Sequence, residues 1–293
     1  DQLSLAIGRE DLVQDPRFRT TADRSANRTA LEGIVTAVLK TRTAAEWTQI
    51  LSDADVPHGP VNNVGEALAQ PVYGVVHHPQ PAAVSITQAS ECGTTYAPEE
   101  IAAISTCTRR HGLKLHMDGA RFANALSFIG CSPAELSWRA GVDVLSLGAT
   151  KNGAMGAEVV VFFDPELARE FEFRRKRGGH LFSKMRLLSS QLDAYFSDGL
   201  WLANARHANA MARRLVAGLT ALKGVQLLYR VDANEIFVVL PAHVHDALQA
   251  AGAQYHPWPS DRPGERAFRL VTAFDTDPAA VDKFLTVAKS ASS

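Results

Sequence analysis

Three short apolar runs separated by helical stretches constrain this chain most. AAVSIT (82–87), LKLHM (113–117) and VDVLSL (142–147) are rich in Val, Ile and Leu, and a fourth run, EVVVFF (158–163), follows closely. Runs of this length and composition read as strands, and their apolar density suits strands buried on both faces. Between the first two, Pro98-Glu99-Glu100-Ile101 places proline and acids in the first turn of a helix that Gly112 stops. Between the second and third, Ser132 and Glu135 stand at capping-box spacing and predict a further helix. Strand, helix, strand, helix, strand is the order of a mostly parallel α/β layer.

Two of these strands end on groups that carry chemistry. Asp118 follows LKLHM, and Lys151 follows VDVLSLGAT. A carboxylate and a lysine at the carboxyl ends of neighbouring strands are what a protein needs to hold pyridoxal 5'-phosphate (PLP). The amine takes the cofactor's aldehyde, and the carboxylate keeps the ring nitrogen protonated so that the ring draws in electrons. The plainer readings are a surface lysine and an aspartate capping the next helix. His116, beside Asp118, reads as a packed or hydrogen-bonded structural residue.

The remaining sequence places this layer between two other regions. Upstream, Leu31, Ile34, Val35, Val38 and Leu39 share a helix face, and Thr43 and Glu46 have capping-box spacing at the start of another helix. VPHGPVNNVGEALAQP is a Pro-, Gly- and Asn-rich boundary. Downstream, residues 165–222 read as a long helical region whose Arg174, Arg175, Lys176 and Arg177 suit a solvated face. VQLLYR, EIFVVL, a helix near HVHDALQAAG, FRLVTAF and a terminal helix after Thr276 then predict a small α+β domain. The expected domains are 1–74, 75–180 and 181–293.

With 293 residues, 46% of them hydrophobic, the chain can bury a sizeable core. A formal net charge of -1 gives no electrostatic footprint for nucleic acid or an anionic membrane, so neither is expected as a partner. Cys92, Cys107 and Cys131 are too widely spaced for a CxxC pair, which argues against a disulfide framework or a zinc site and fits the cytoplasm. No apolar run is long enough to span a membrane.

From about Val76 onward the chain resembles the low-specificity L-threonine aldolases, in the family that includes the aromatic amino acid beta-eliminating lyases. HHPQPAAVSITQ, HMDGARFANA, GVDVLSLGATKNGA, FRRKRGGHLFSKMR, ARHANAM, ANEIFVVLP and RLVTAF carry the resemblance. It implies a fold-type-I PLP enzyme, assembled as a homo-oligomer, that cleaves L-threonine and related β-hydroxy-α-amino acids to glycine and an aldehyde. On this resemblance Lys151 matches the family's Schiff-base lysine and Asp118 the partner of the pyridine nitrogen. Arg121 matches an arginine near the cofactor hydroxyl and the substrate, and Arg269 the arginine that grips the substrate carboxylate. His77 aligns with a histidine that handles the substrate hydroxyl proton, and Lys176 with a basic residue near the site.

Residues 1–74 resemble instead the carboxyl-terminal region of the family III CoA-transferases, through LSLAIGREDLVQDPRFRTTADRSANR, TAAEWTQIL and VPHGPVNNVGEALAQP. That family's nucleophilic aspartate has no counterpart here. The segment also lacks the Gly- and Thr-rich turn that binds phosphate in the aldolases, which predicts weak or absent cofactor retention and exposed apolar edges and faces on the sheet. The sequence therefore leaves a working aldolase, a fusion or pseudoenzyme without catalysis, and a CoA-ester transferase relative as alternatives.

Overall fold

The structure, a computed structural model, describes residues 2–58, 80–181, 183–260 and 266–292. His77 and the Gly-containing loop GPVNNVG lie outside the described residues. The chain forms two compact units, Asp1–Ala69 and Gln70–Ser293.

The first unit is helical: α1 Gln2–Ala6, α2 Asp11–Gln14, α3 Thr21–Ala26, α4 Arg28–Leu39 and α5 Ala44–Asp53. Thr43 and Glu46 form the capping box expected of α5, and Thr20 with Asp23 form a second one at α3. The α4 face packs Val35, Val38 and Leu39 against a small core of Ile7, Trp47 and Leu51. The Trp47 indole N–H donates to the Leu39 carbonyl at 2.8 Å, which ties α5 to the end of α4.

Among its described residues the second unit holds two four-stranded sheets. In the first, β1 Ala83–Thr87, β2 Lys114–Gly119, β3 Val144–Gly148 and β4 Glu158–Phe162 lie in that order. The first three strands are parallel and β4 is antiparallel. The helix α6 Pro98–Arg110 connects β1 to β2, and α7 Phe122–Ile129 connects β2 to β3. The helix after β2 thus starts at once from the DGAR turn, and Gly130 in the left-handed region stops it. The Ser132–Glu135 capping box does form, but only turns and a single 3-10 turn at Trp138–Ala140 come after it. Gly141, with φ 95°, ends that piece before a full helix can develop.

These strands are not buried on both faces. Ile86, Leu115, Met117, Leu145 and Leu147 enter one core with Ile101, Phe122 and Leu126 of the connecting helices. The alternate positions Ser85, His116, Asp118 and Ser146 are half-buried or exposed. The alternation explains the outcome, because the residues interposed between the apolar ones are polar and satisfy one another. Ser85 Oγ and Ser146 Oγ sit 2.7 and 2.9 Å from the two ring nitrogens of His116. Val160, 40% exposed, is the main apolar side chain left open there among the described residues.

The helical region divides into α8 Pro165–Ala168, α9 Phe171–Arg177, α10 Arg186–Phe196 and α11 Leu200–Leu219. Gly179 (φ 76°) breaks it after α9, and Asp198 with Gly199, both at positive φ, break it before α11. The second sheet comes next, in the order β5 Gln226–Leu227, β6 Glu235–Val239, β8 Ala267–Val271, β7 His256–Trp258, all antiparallel. Its helices are α12 Ala242–Ala250 and α13 Pro278–Ser292. Ile236, Val238, Phe268 and Leu270 pack on Met211, Leu215, Leu248 and Val281 of the helices to form a second core. No helix among the described residues is long and apolar enough to cross a membrane.

Candidate functional site

The carboxyl ends of β2 and β3 meet in register. Asp118 pairs with Thr87 on one side and with Ser146 on the other. Gly148 makes the next step possible, since a Cβ there would lie 2.8 Å from the Ala120 Cα. The chain end of β3 can therefore lie directly against the Asp118–Ala120 turn. Asp118 Oδ1 accepts a hydrogen bond from the Ala120 N–H at 2.9 Å, so it shapes this turn, while Arg121 occupies the N-cap position of α7.

Lys151 stands in the middle of a 3-10 turn, Thr150–Asn152, directly after β3. Its neighbours fix that turn. The Asn152 side-chain amide donates to Tyr195 Oη at 2.7 Å and to the Trp201 carbonyl at 2.8 Å, and the Asn204 amide donates to the Asn152 carbonyl at 2.9 Å. Gly153 has φ 123°, and a Cβ there would fall 2.7 Å from Asn204 Nδ2. The lysine itself is exposed, on a turn whose next two residues are locked into the protein.

A second group of charges lies where the two sheets approach. Glu235 opens β6, and its side chain is 3% exposed. Its Oε1 is 3.0 Å from Arg121 Nη2 and 3.6 Å from Arg269 Nε. The loop between β1 and α6 closes over this strand. The Thr95 N–H donates to Asp232 Oδ2 at 2.9 Å, and Gly93 passes so near that a Cβ would lie 3.0 Å from the Glu235 carbonyl oxygen. Burial raises the Glu235 pKa, against the pull of Arg121 and Arg269, and burial likewise lowers that of Arg121 despite Glu235. Both directions say that desolvation outweighs the attraction within the group, as is common for buried ion pairs. Lys151 also acts on Glu235, and Asp118 and Glu91 act on Arg121. Arg121 Nε, Arg269 Nε and Glu235 Oε2 are buried without a hydrogen-bond partner among the described residues.

Four of the residues singled out in the sequence, Asp118, Lys151, Arg121 and Arg269, thus belong to one electrostatically linked region. Lys176 is exposed on α9 with Arg174 and Arg177, and Arg174 pairs with Glu170 at 3.3 Å. Glu235 is a site residue that the sequence patterns do not single out. Its one signal is an acid heading an otherwise apolar run, Ile236–Val239, where a charge is costly unless partnered.

The sequence pattern of the family described as beta-eliminating lyase matches residues 5–243. The chain belongs to the beta-eliminating lyase family. This family member is 46% identical over 202 residues to a low-specificity L-threonine aldolase of Pseudomonas aeruginosa, covering 69% of this chain and 57% of that relative. The chain therefore spans little more than half the length of that relative. The solved structure of Leishmania major threonine aldolase matches with a TM-score of 0.72 at 27% identity, covering 84% of this chain and 74% of that one. A shorter likeness, 40% identity over 65 residues, connects this lyase-family chain to an acetyl-CoA:oxalate CoA-transferase of Acetobacter aceti. It covers 22% of this chain and 17% of the transferase. The aldolase likeness carries the α/β layer with its small α+β domain into fold type I.

Proposed function

We propose that this chain carries the reactive half of a PLP-dependent lyase of threonine-aldolase type, cleaving L-threonine and related β-hydroxy-α-amino acids to glycine and an aldehyde. The observation that carries the reading is the adjacency of Asp118 and Lys151 at the carboxyl ends of paired parallel strands. Their chemistry fits the ring end of PLP: a carboxylate with one oxygen held by a backbone N–H, and an exposed amine on a fixed turn. The buried Nε–H donors of Arg121 and Arg269, which make no hydrogen bond among the described residues, fit an anionic ligand beside them.

When bound, PLP supplies the sink for the electron pair released as the Cα–Cβ bond breaks. Asp118 keeps the proton on the pyridine nitrogen, because an opposite charge nearby favours the protonated form. Lys151 Nζ would hold the cofactor at its aldehyde carbon. Arg121 would orient the cofactor hydroxyl, and the planar guanidinium of Arg269 would grip the substrate carboxylate. His77, or an ordered water, would take the proton of the substrate β-hydroxyl. The reading places residues 75–180 as the PLP-binding layer and 181–293 as the long helix with its α+β domain, in a cytoplasmic homo-oligomer.

The test is direct. Purified protein mixed with PLP is expected to develop a visible absorbance band that Lys151→Ala lacks, and to release glycine and acetaldehyde from L-threonine. A wild-type protein with neither band nor products would remove the lyase reading.

A further inference from the structure

Glu235 stands between two guanidinium groups without being available to either alone. Its single oxygen Oε1 serves both Arg121 Nη2, at 3.0 Å, and Arg269 Nε, at 3.6 Å. The carboxylate is enclosed, because all five residues of β6 are buried and the Gly93 turn lies against its backbone. Two guanidinium groups this close repel one another, and Arg269 does act on Arg121 in that sense. A carboxylate shared between them offsets the repulsion and fixes their spacing.

The shared carboxylate also sets the charge that a ligand meets. Within this group Arg121 and Arg269 contribute two positive charges and Glu235 removes one, while Lys151, Asp118 and Glu91 act on it from outside. The single positive charge left at the two guanidinium groups matches one carboxylate. A second carboxylate on the ligand would meet the buried negative charge of Glu235, where little water screens it, and like charges so placed are strongly disfavoured.

We infer that Glu235 is a positioning and selecting residue: it holds Arg121 and Arg269 at a fixed spacing and restricts the site to ligands bearing a single carboxylate. The inference deepens the proposed function and rests on the reading of Arg269 as the carboxylate grip.

The experiment uses the whole chain without cofactor, so that it reads this end of the site apart from any catalysis. Glycolate and malonate, each carrying a carbon-13 carboxyl label, are titrated with the protein and followed by NMR line broadening. Wild type is expected to bind glycolate at least about tenfold more tightly than malonate, roughly the factor that one unfavourable charge contact produces. Glu235→Gln is expected to lose or reverse that preference, Glu235→Asp to keep its order, and Arg269→Ala to lose glycolate binding. A wild-type protein that binds neither anion, or prefers malonate, overturns the inference even if the variants do not fold. A folded Glu235→Gln protein with the wild-type ratio overturns it as well. Failure of the lyase reading looks different: the anion preferences hold while PLP and L-threonine give neither band nor products.

Discussion

The two sheets of the second unit divide the work in opposite ways. In the first, apolar and polar residues alternate, so one face joins a core and the other carries Ser85, His116, Asp118 and Ser146. In the second, β6 is buried along its whole length, Ile236 and Val238 against helices and Phe237 against Trp258 and Tyr229. The first sheet carries Asp118 at the end of β2 and Lys151 on the turn that follows β3. The second buries charged side chains, Glu235 wholly and Arg269 in part. The proposed cofactor contacts thus lie at the end of a strand and on the turn after its neighbour, whereas Glu235 and Arg269 of the charge group lie on paired strands of the second sheet.

Changing one residue in each sheet tests that division. Lys151→Ala is expected to abolish L-threonine cleavage and the PLP band while leaving the thermal midpoint near that of wild type, because the side chain is exposed. Phe237→Ala should behave the other way. Phe237 is 1% exposed and stacks edge-on with Trp258 at 4.6 Å, so its loss should cost about 3–5 kcal/mol in denaturant unfolding. If Lys151→Ala destabilised the protein as much as Phe237→Ala does, the separation of reactive ends from packed interior would be wrong.

The same contrast explains what the sequence could disclose. Asp118 and Lys151 were legible because each lies a few residues after an apolar strand run, a local pattern. The capping boxes at Thr43–Glu46 and Ser132–Glu135 were legible for the same reason, though the second leads only into turns, because the length of a capped helix depends on later residues such as Gly141. The first sheet is not buried on both faces because polar residues interrupt its apolar runs, and His116 links them across three strands. The Arg121–Glu235–Arg269 group was not legible, since its members lie far apart in sequence and only the approach of the two sheets joins them. His256–Trp258 was missed as a strand for a related reason: it is short, contains proline and pairs at the sheet edge.

A smaller effect probes the link between the reactive turn and the rest of the unit. Asn152→Ala removes the donors to Tyr195 Oη and to the Trp201 carbonyl, and burial has already raised the Tyr195 pKa by disfavouring its charged form. The expected cost is about 1–3 kcal/mol in unfolding, with a fall in kcat larger than any rise in KM because the loosened turn carries Lys151. An unchanged kcat would show that the clamp stabilises the unit without positioning the lysine.

The smallest effect lies in the pH dependence of stability, and its sign comes from Glu235. Burial raises this carboxyl above its ordinary value of 4.5 in the folded state. Between that value and the raised one, the native protein binds a proton that the unfolded chain has released. The native state binding more protons means that stability falls as pH rises through this window and levels off above it. The slope contributed by one such group is at most about 1.4 kcal/mol per pH unit. Glu235→Gln, which cannot titrate, should remove that contribution, so urea midpoints of the variant measured across the window should vary less steeply than those of wild type. Equal slopes in the two proteins would mean that Arg121 and Arg269 hold the carboxylate charged throughout, and that their attraction outweighs the desolvation of β6.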